Sequence, residues 1–389
     1  MKRIASLFVL ITLAFALGIR IYAENTVYIE AENKYDIAKN AKSAVLMDAD
    51  TGEVLYKKNE TSALPPASVT KIMTLLLAVE ALDCGAFEKD DKVRISSYAA
   101  SMGGSQVYLE EGEYMTVEEL IKCTAIASAN DAAVALAELV SGSESAFVKK
   151  MNAKAMELGL SSTNFENVTG LDDTVVNHVT SAMDIALMSR ELLKYDIITS
   201  YTSLWQDSIR DGEFTLTNTN RLVRYYDGCN GLKTGSTDKA GFCMSATAKR
   251  GDLQLIAVVM GADTRDKRNE TARELLDFGF ANYALYTSPE EMLESVKVYF
   301  GEKKSVDLYS SEFKILLNKS DVKRVEKVYE IPENITAPVN SGDAVGKVEY
   351  MLDGKSIGVS LIFAKEEVKK ISFLKLYFSL ISSIFGSKL

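Results

Sequence analysis

The chain has 389 residues, 47% hydrophobic and 25% charged, with a net charge of −10. This is ordinary globular composition, with enough apolar material for one large and one small domain. The acidic balance excludes non-specific nucleic-acid binding, which needs a basic surface to displace counterions from phosphates. Cys84, Cys123, Cys229 and Cys243 form no C-x-x-C pair, and a chain of this length needs no disulfide staples, so they are expected to be small buried hydrophobes. With His178 as the single histidine, a Cys/His zinc site has almost no material.

In chain order, residues 1–23 read as a secretory signal. Lys2 and Arg3 precede the apolar run from Ile4 to Leu17, and Ala23 offers a small residue for cleavage. The run is shorter than the ~20 apolar residues of a comfortable membrane span. Ser43–Asp48 and Glu53–Tyr56 flank Asp50-Thr51-Gly52 and predict a hairpin. Helical periodicity follows over Val69–Leu82, over Val117–Val140 with Thr116 as N-cap and Glu119 completing a capping box, and over Ser181–Leu193. A second hairpin is predicted from Gly241–Lys249 and Leu253–Gly261 around Arg250-Gly251-Asp252. Strands at both ends with helices between imply an α+β domain, an antiparallel sheet flanked by helices.

Near Thr287-Ser288-Pro289 the pattern changes to short strand-like runs at Val296–Phe300, Phe313–Leu317, Val325–Glu330, Gly346–Leu352 and Lys355–Phe363. Their spacing predicts a small all-β sandwich. At the C-terminus Ile371, Leu374, Phe378, Ile381 and Phe385 fall on one helical stripe among Lys369, Lys370, Lys375 and Lys388. Such a stripe suits an amphipathic helix lying in a membrane interface; docking on the protein's own body is the alternative. The division expected is therefore a signal at 1–23, a catalytic domain at 24–287, a β-sandwich at 288–365 and an anchoring helix at 366–389.

A hydrolase needs a nucleophile, a base and oxyanion donors. A Ser-His-Asp triad would have to use His178, whose run opens a helix and suits a structural hydrogen bonder, and no G-x-S-x-G elbow is present. The S-x-x-K pattern offers another route, because on a helix Lys71 can reach Ser68. A lysine acts as base only when burial or a neighbouring cation depresses its pKa. Spacing alone does not select this pair. S-x-x-K recurs at Ser236/Lys239, Ser311/Lys314, Ser320/Lys323 and Ser372/Lys375. Ser68 differs in its setting, where the extended Pro65-Pro66 segment enters a long apolar helix whose first N–H groups lack partners. Two further elements follow in order: Ser128-Ala129-Asn130 inside an apolar stretch, and the single Lys233-Thr234-Gly235, expected on a strand whose glycine admits substrate.

Ser68-x-x-Lys71, Ser128-x-Asn130 and Lys233-Thr-Gly235 together resemble the active-site triplet of penicillin-binding proteins and serine β-lactamases. Leu64–Lys71, Gly103-Gly104-Ser105, Ser128–Asp131, Thr169–Asp172, Gly231–Thr237 and Ala240-Gly241-Phe242 are closer still to the low-molecular-mass D-alanyl-D-alanine carboxypeptidases. The resemblance spans essentially the whole mature chain. It implies a β-lactamase/transpeptidase-like fold, a peptidoglycan stem peptide ending in D-Ala-D-Ala as substrate, and β-lactam antibiotics as covalent inhibitors. Water is the implied acceptor, with no metal or cofactor.

The same resemblance implies roles for individual residues. Ser68 attacks the carbonyl between the two terminal D-alanines, Lys71 takes its proton, and Ser128 relays a proton to the leaving amine. Asn130 binds the substrate amide, Lys233 supplies positive charge near Ser128 and lowers the pKa of Lys71, and backbone N–H groups of Ser68 and Ser236 form the oxyanion hole. Thr234 and Arg268 receive the free carboxylate, with Arg265 nearby as an alternative to Arg268. Asn230 stands where many relatives carry Asp. Glu166 is superficially like a deacylating glutamate, but its context, Phe165–Leu171, matches the carboxypeptidase loop in which this position is not catalytic. A β-lactamase, a transpeptidase and a non-enzymatic cell-wall scaffold are the competing readings.

Overall fold

The structure is a computed structural model that describes residues 36–173, 175–375, 377, 378 and 381. The expected signal at 1–23 and Phe385 lie outside these residues.

The frame of the larger part is a five-stranded sheet. Strands β1 (Ser43–Asp48) and β2 (Val54–Lys58) come from the first hairpin; β3 (Cys229–Thr237), β4 (Gly241–Arg250) and β5 (Leu253–Ala262) come from the end of the domain. Their order is β2-β1-β5-β4-β3, antiparallel throughout, with Val45 opposite Val258 and Lys233 opposite Ser245. Strand β1 is buried at every position because both faces of the sheet are covered, so its sequence is a continuous apolar run and not an alternation. Successive residues still part company. Val45, Met47, Ile256 and Val258 face one core, while Ala44, Leu46, Leu255 and Ala257 face the other.

The first core holds the helices α1 (Lys71–Asp83), α2 (Val117–Ile126), α3 (Asn130–Ser141), α4 (Glu144–Glu157) and α5 (Ala182–Leu192). Helix α1 buries Ile72, Met73, Leu75, Leu76, Leu77 and Val79, covering more than one face, as a central helix should. The second core lies under α6 (Arg265–Asn282). No sequence signal had picked out α6, because a helix covering a sheet needs only a narrow apolar stripe; here Ala272, Leu275, Leu276 and Phe280 supply it.

Two expectations change. The helix expected over Val117–Val140 keeps its capping box at Thr116 and Glu119 but breaks after Ile126, resuming at Asn130. Ser128 in the break has φ +63, which no helix residue adopts. The helix expected from Val69 begins at Lys71 and is preceded by a 3₁₀ turn over Ala67–Thr70. Of the cysteines, all free, Cys123, Cys229 and Cys243 are buried as expected. Cys84 is exposed, because it caps the C-terminus of α1 where the chain turns out of the core.

The C-terminal part is all-β. A six-stranded sheet is built from Glu291–Tyr299, Ser305–Ser310, Glu326–Glu330, Asn334–Thr336, Ala344–Leu352 and Lys355–Ala364. A two-stranded sheet, Tyr283–Ser288 with Phe313–Asn318, packs on it. The strand Tyr283–Ser288 follows α6 directly, so the polypeptide enters this second sheet from the end of the helix. Phe313 stacks on Tyr350 with ring centroids 4.0 Å apart, and Tyr286 meets the same ring edge-on. The described end of the chain is helical at 373–375, 377 and 378. No described helix is long and apolar enough to cross a membrane. Tyr350 is the largest fully buried side chain, so Tyr350→Ala is expected to cost roughly 3–5 kcal/mol, read by urea unfolding.

Candidate active site

The nucleophile turn follows from local chemistry. Pro66 takes a helical conformation at φ −84 and ψ −14, not the extended one expected, Ala67 takes φ +48, and the 3₁₀ turn carries Ser68 to the edge of the core. In a 3₁₀ turn residues i and i+3 eclipse, which aims Lys71 at Ser68 more directly than the expected α-helix would. The turn is tied down from its far side. Thr70 Oγ1 donates to Ala67 O at 2.9 Å, and His178 Nε2 lies 2.8 Å from Thr70 Oγ1. His178 Nδ1 accepts the Glu166 N–H at 3.0 Å, so the ring proton sits on Nε2 and points to Thr70. Burial presses the His178 pKa down to about 4, keeping the ring neutral. The single histidine is thus a structural hydrogen bonder, as expected. Gly170 closes the same contact: at φ +79, an added Cβ would lie 1.8 Å from Ala67 O.

Lys71 is fully buried, with Nζ 3.0 Å from Ser68 Oγ, 2.6 Å from Asn130 Oδ1 and 2.9 Å from Thr169 O. Burial holds its pKa well below the ordinary lysine value, and the charge of Lys233 lowers it further; Asp131 opposes both. In the neutral amine two N–H groups and one lone pair remain. The carbonyl oxygens of Asn130 and Thr169 can only accept, so they take both N–H groups. The lone pair is left for the Ser68 hydroxyl.

The break in the long helix serves the same point. It turns Ser128 towards Lys233, whose Nζ donates to Ser128 Oγ at 2.7 Å and to Thr234 O at 2.9 Å. It also makes Asn130 the first residue of α3, with Nδ2 donating to Gly103 O at 2.6 Å and its backbone N–H to Ser105 O at 2.7 Å. The buried Asp131 carboxylate accepts the Val107 and Leu109 N–H groups, fixing the rest of that loop. Arg210 grips the loop from outside through Val107 O, Tyr108 O and Glu113.

The opposite wall is β3, an edge strand with a free side for an extended peptide. Gly235 packs so closely on the nucleophile turn that an added Cβ would sit 2.8 Å from Ser68 N. Thr234 Oγ1 donates to Thr219 Oγ1, and Ser236 stands exposed at the open end of the strand. Arg268 is buried in the first turns of α6, with Nε and Nη2 on Asn269 Oδ1; Arg265 is exposed. Burial and then the charge of Arg268 lower the Lys233 pKa to about 7.

Ser68, Lys71 and Asn130 therefore form one hydrogen-bonded cluster, and Ser128 and Lys233 a second. Thr234 adjoins the second, and Arg268 acts on it through its field without a direct bond. Sequence reasoning missed Thr70, Asp131 and Arg210 as supports, and the carbonyls of Gly103, Ser105 and Thr169. Backbone carbonyls carry no residue signal, and Asp131 could have been noticed as a charge inside an apolar helix.

Residues 29–264 match the D-alanyl-D-alanine carboxypeptidase family, and residues 280–370 match the penicillin-binding protein 5 C-terminal domain. The chain belongs to the D-alanyl-D-alanine carboxypeptidase family. It is 48% identical over 346 residues to the D-alanyl-D-alanine carboxypeptidase DacF of Bacillus subtilis, covering 87% of this chain and 88% of that protein. The crystal structure of penicillin-binding protein 5 from Haemophilus influenzae superposes with a TM-score of 0.71 at 32% identity, covering 85% of this chain and 98% of that one. Ampicillin-bound penicillin-binding protein D2 from Listeria monocytogenes gives 0.57 at 32% identity, over 62% of this chain and 97% of that one. The fold is thus the mixed helix-and-sheet domain of this family followed by its C-terminal sheet domain, as the motifs implied.

The buried lysines have a measurable cost. Between about pH 7 and the ordinary lysine value of 10.5, the unfolded chain holds a proton at residue 233 that the folded chain has released, so stability rises with pH. Below about pH 7 both states are protonated and the full penalty stands. Lys233→Met is expected to raise Tm by at least about 2 °C at pH ~6, the gain shrinking as the pH approaches ~10, in thermal unfolding over that range.

Proposed function

We propose that the chain removes the terminal D-alanine from peptidoglycan pentapeptide stems through a Ser68 acyl-enzyme, and that β-lactams acylate the same serine. The observation that carries this reading is the environment of Lys71: a buried amine whose pKa is held well below the ordinary lysine value, with Nζ in hydrogen-bond reach of Ser68 Oγ and of the Asn130 and Thr169 carbonyls. Ser68 Oγ attacks the carbonyl between the two D-alanines as its proton passes to Lys71. The tetrahedral oxyanion sits between the backbone N–H groups of Ser68 and Ser236, a pairing supported by the close packing of Gly235 on Ser68 N. Ser128, held by Lys233, delivers a proton to the departing D-alanine amine. Water then attacks the acyl-enzyme. Asn130 binds the substrate amide, and Thr234 with Arg268 receives the terminal carboxylate, drawn by the positive charge of Lys233 and Arg268.

Slow release of penicillin follows from Glu166. Its Oε2 accepts the Val176 and Asn177 N–H groups, a structural tie that supports reading Glu166 as part of the carboxypeptidase loop and not as a deacylating base. The ampicillin-bound form of the Listeria protein, on a related fold, supports β-lactam binding here.

The reading also places the enzyme outside the cytoplasm, at the outer face of the membrane. Residues 1–23 would be the export signal, 24–287 the catalytic domain, 288–365 the β domain and 366–389 an amphipathic helix lying in the membrane interface. Trimming the stems would limit cross-linking and so contribute to cell shape.

Mass spectrometry of the intact protein after penicillin treatment, with D-alanine release measured on a pentapeptide, tests the assignment. The parent is expected to hold one adduct for minutes or longer, while Ser68→Ala forms none and loses at least ~10³-fold in release. An adduct that persists in Ser68→Ala would refute the nucleophile, and fast penicillin turnover would redirect the reading to a β-lactamase.

A further inference from the structure

The tip that follows the strand Glu291–Tyr299 presents two aromatic rings to solvent. Tyr299 is 52% exposed and Phe300 59%. Phe300 has φ +58, a conformation bulky residues rarely adopt, so the turn is spent on holding this ring outward. The tip is joined to the segment leading into the C-terminal helix. Ile371 N–H donates to Phe300 O at 2.8 Å, Glu302 N–H to Lys369 O at 2.8 Å, and Lys375 Nζ to Glu302 Oε1 at 2.8 Å. Beyond that join Phe373, Leu374, Tyr377 and Phe378 are also exposed. Six large apolar side chains thus stand outside the core in two segments bonded to each other, more than scattered surface residues would explain.

The charge around them is inverted relative to the chain. Lys303, Lys369 and Lys375 pair with Glu366, Glu367 and Glu302, which leaves Lys304 and Lys370 in excess in a protein of net charge −10. Tyr and Phe with a lysine fringe match an anionic bilayer, whose interface takes aromatic rings at headgroup depth and whose phosphates attract lysine. An apolar protein partner would not call for that fringe.

We propose that Tyr299 and Phe300 form a second membrane contact, carried by the β domain itself and inserted beside the C-terminal helix into an anionic bilayer. This rests on the reading of residues 366–389 as a membrane-lying helix and deepens it. One contact alone leaves the body free to swing about the helix; two, fixed by the 300–371 and 302–369 hydrogen bonds, hold the β domain at a set angle to the surface.

The test is co-sedimentation of the full mature chain with vesicles of phosphatidylcholine and phosphatidylglycerol. Phe300→Asn is the informative variant, because Asn tolerates positive φ and keeps the turn while removing the ring. Its partition coefficient is expected to fall roughly five- to ten-fold, with Phe300→Trp restoring binding and the rate of penicillin acylation unchanged in both. Parent binding with no loss in Phe300→Asn would overturn the second contact while leaving the helix reading intact. A parent that does not bind the vesicles would instead withdraw the helix reading, and this inference with it.

Discussion

The site is organised around a buried amine whose pKa is held well below the ordinary lysine value. Lys71 can serve Ser68 only while its N–H groups are committed elsewhere, and each commitment recruits another part of the fold. Asn130 must open α3 with its amide oxygen turned inward, which requires the helix break at Ser128. Thr169 must offer its carbonyl, which requires the 165–171 loop to lie against the nucleophile turn, and Gly170 is what lets it lie there. Positive φ at Ala67 and Ser128 and two buried lysines each cost stability. The continuous apolar core between the sheet and α1 to α5 offsets that cost.

The second lysine acts from the opposite wall. Lys233 holds Ser128 in place and depresses the pKa of Lys71, while Arg268 depresses its own. Positive groups accumulate where the proposed reading puts the substrate carboxylate, and the same accumulation adds to burial in lowering the Lys71 pKa. Binding and basicity therefore draw on one electrostatic arrangement. The edge position of β3 completes it, since an extended peptide can pair along a strand whose Gly235 lets it lie directly against the nucleophile turn.

Much of this was legible in the residues. The two hairpins, the capping box at Thr116 and the neighbourhood of Ser68, Ser128 and Lys233 follow from local patterns and motif order. Two local features were hidden by their own chemistry. The helical periodicity from Val117 to Val140 reads as one helix, because nothing in Ala127-Ser128-Ala129 marks a positive φ as glycine would. The helix Arg265–Asn282 reads as polar because only a narrow stripe of it meets the sheet.

By itself the sequence brought out the Ser68, Ser128 and Lys233 motifs in order, and it left a histidine triad only His178, in a run that opens a helix, with no G-x-S-x-G elbow. It also determined the α+β frame, since periodicity and turn residues act over a few positions. The tertiary structure alone decided that the Lys71 pKa falls. That property comes first from burial by the whole domain and then from the charge of Lys233, 162 residues away in the chain, while Thr169 O and Asn130 Oδ1, 98 and 59 residues away, orient the amine. Desolvation and carbonyl placement are properties of a packed interior, and no local pattern of residues encodes them.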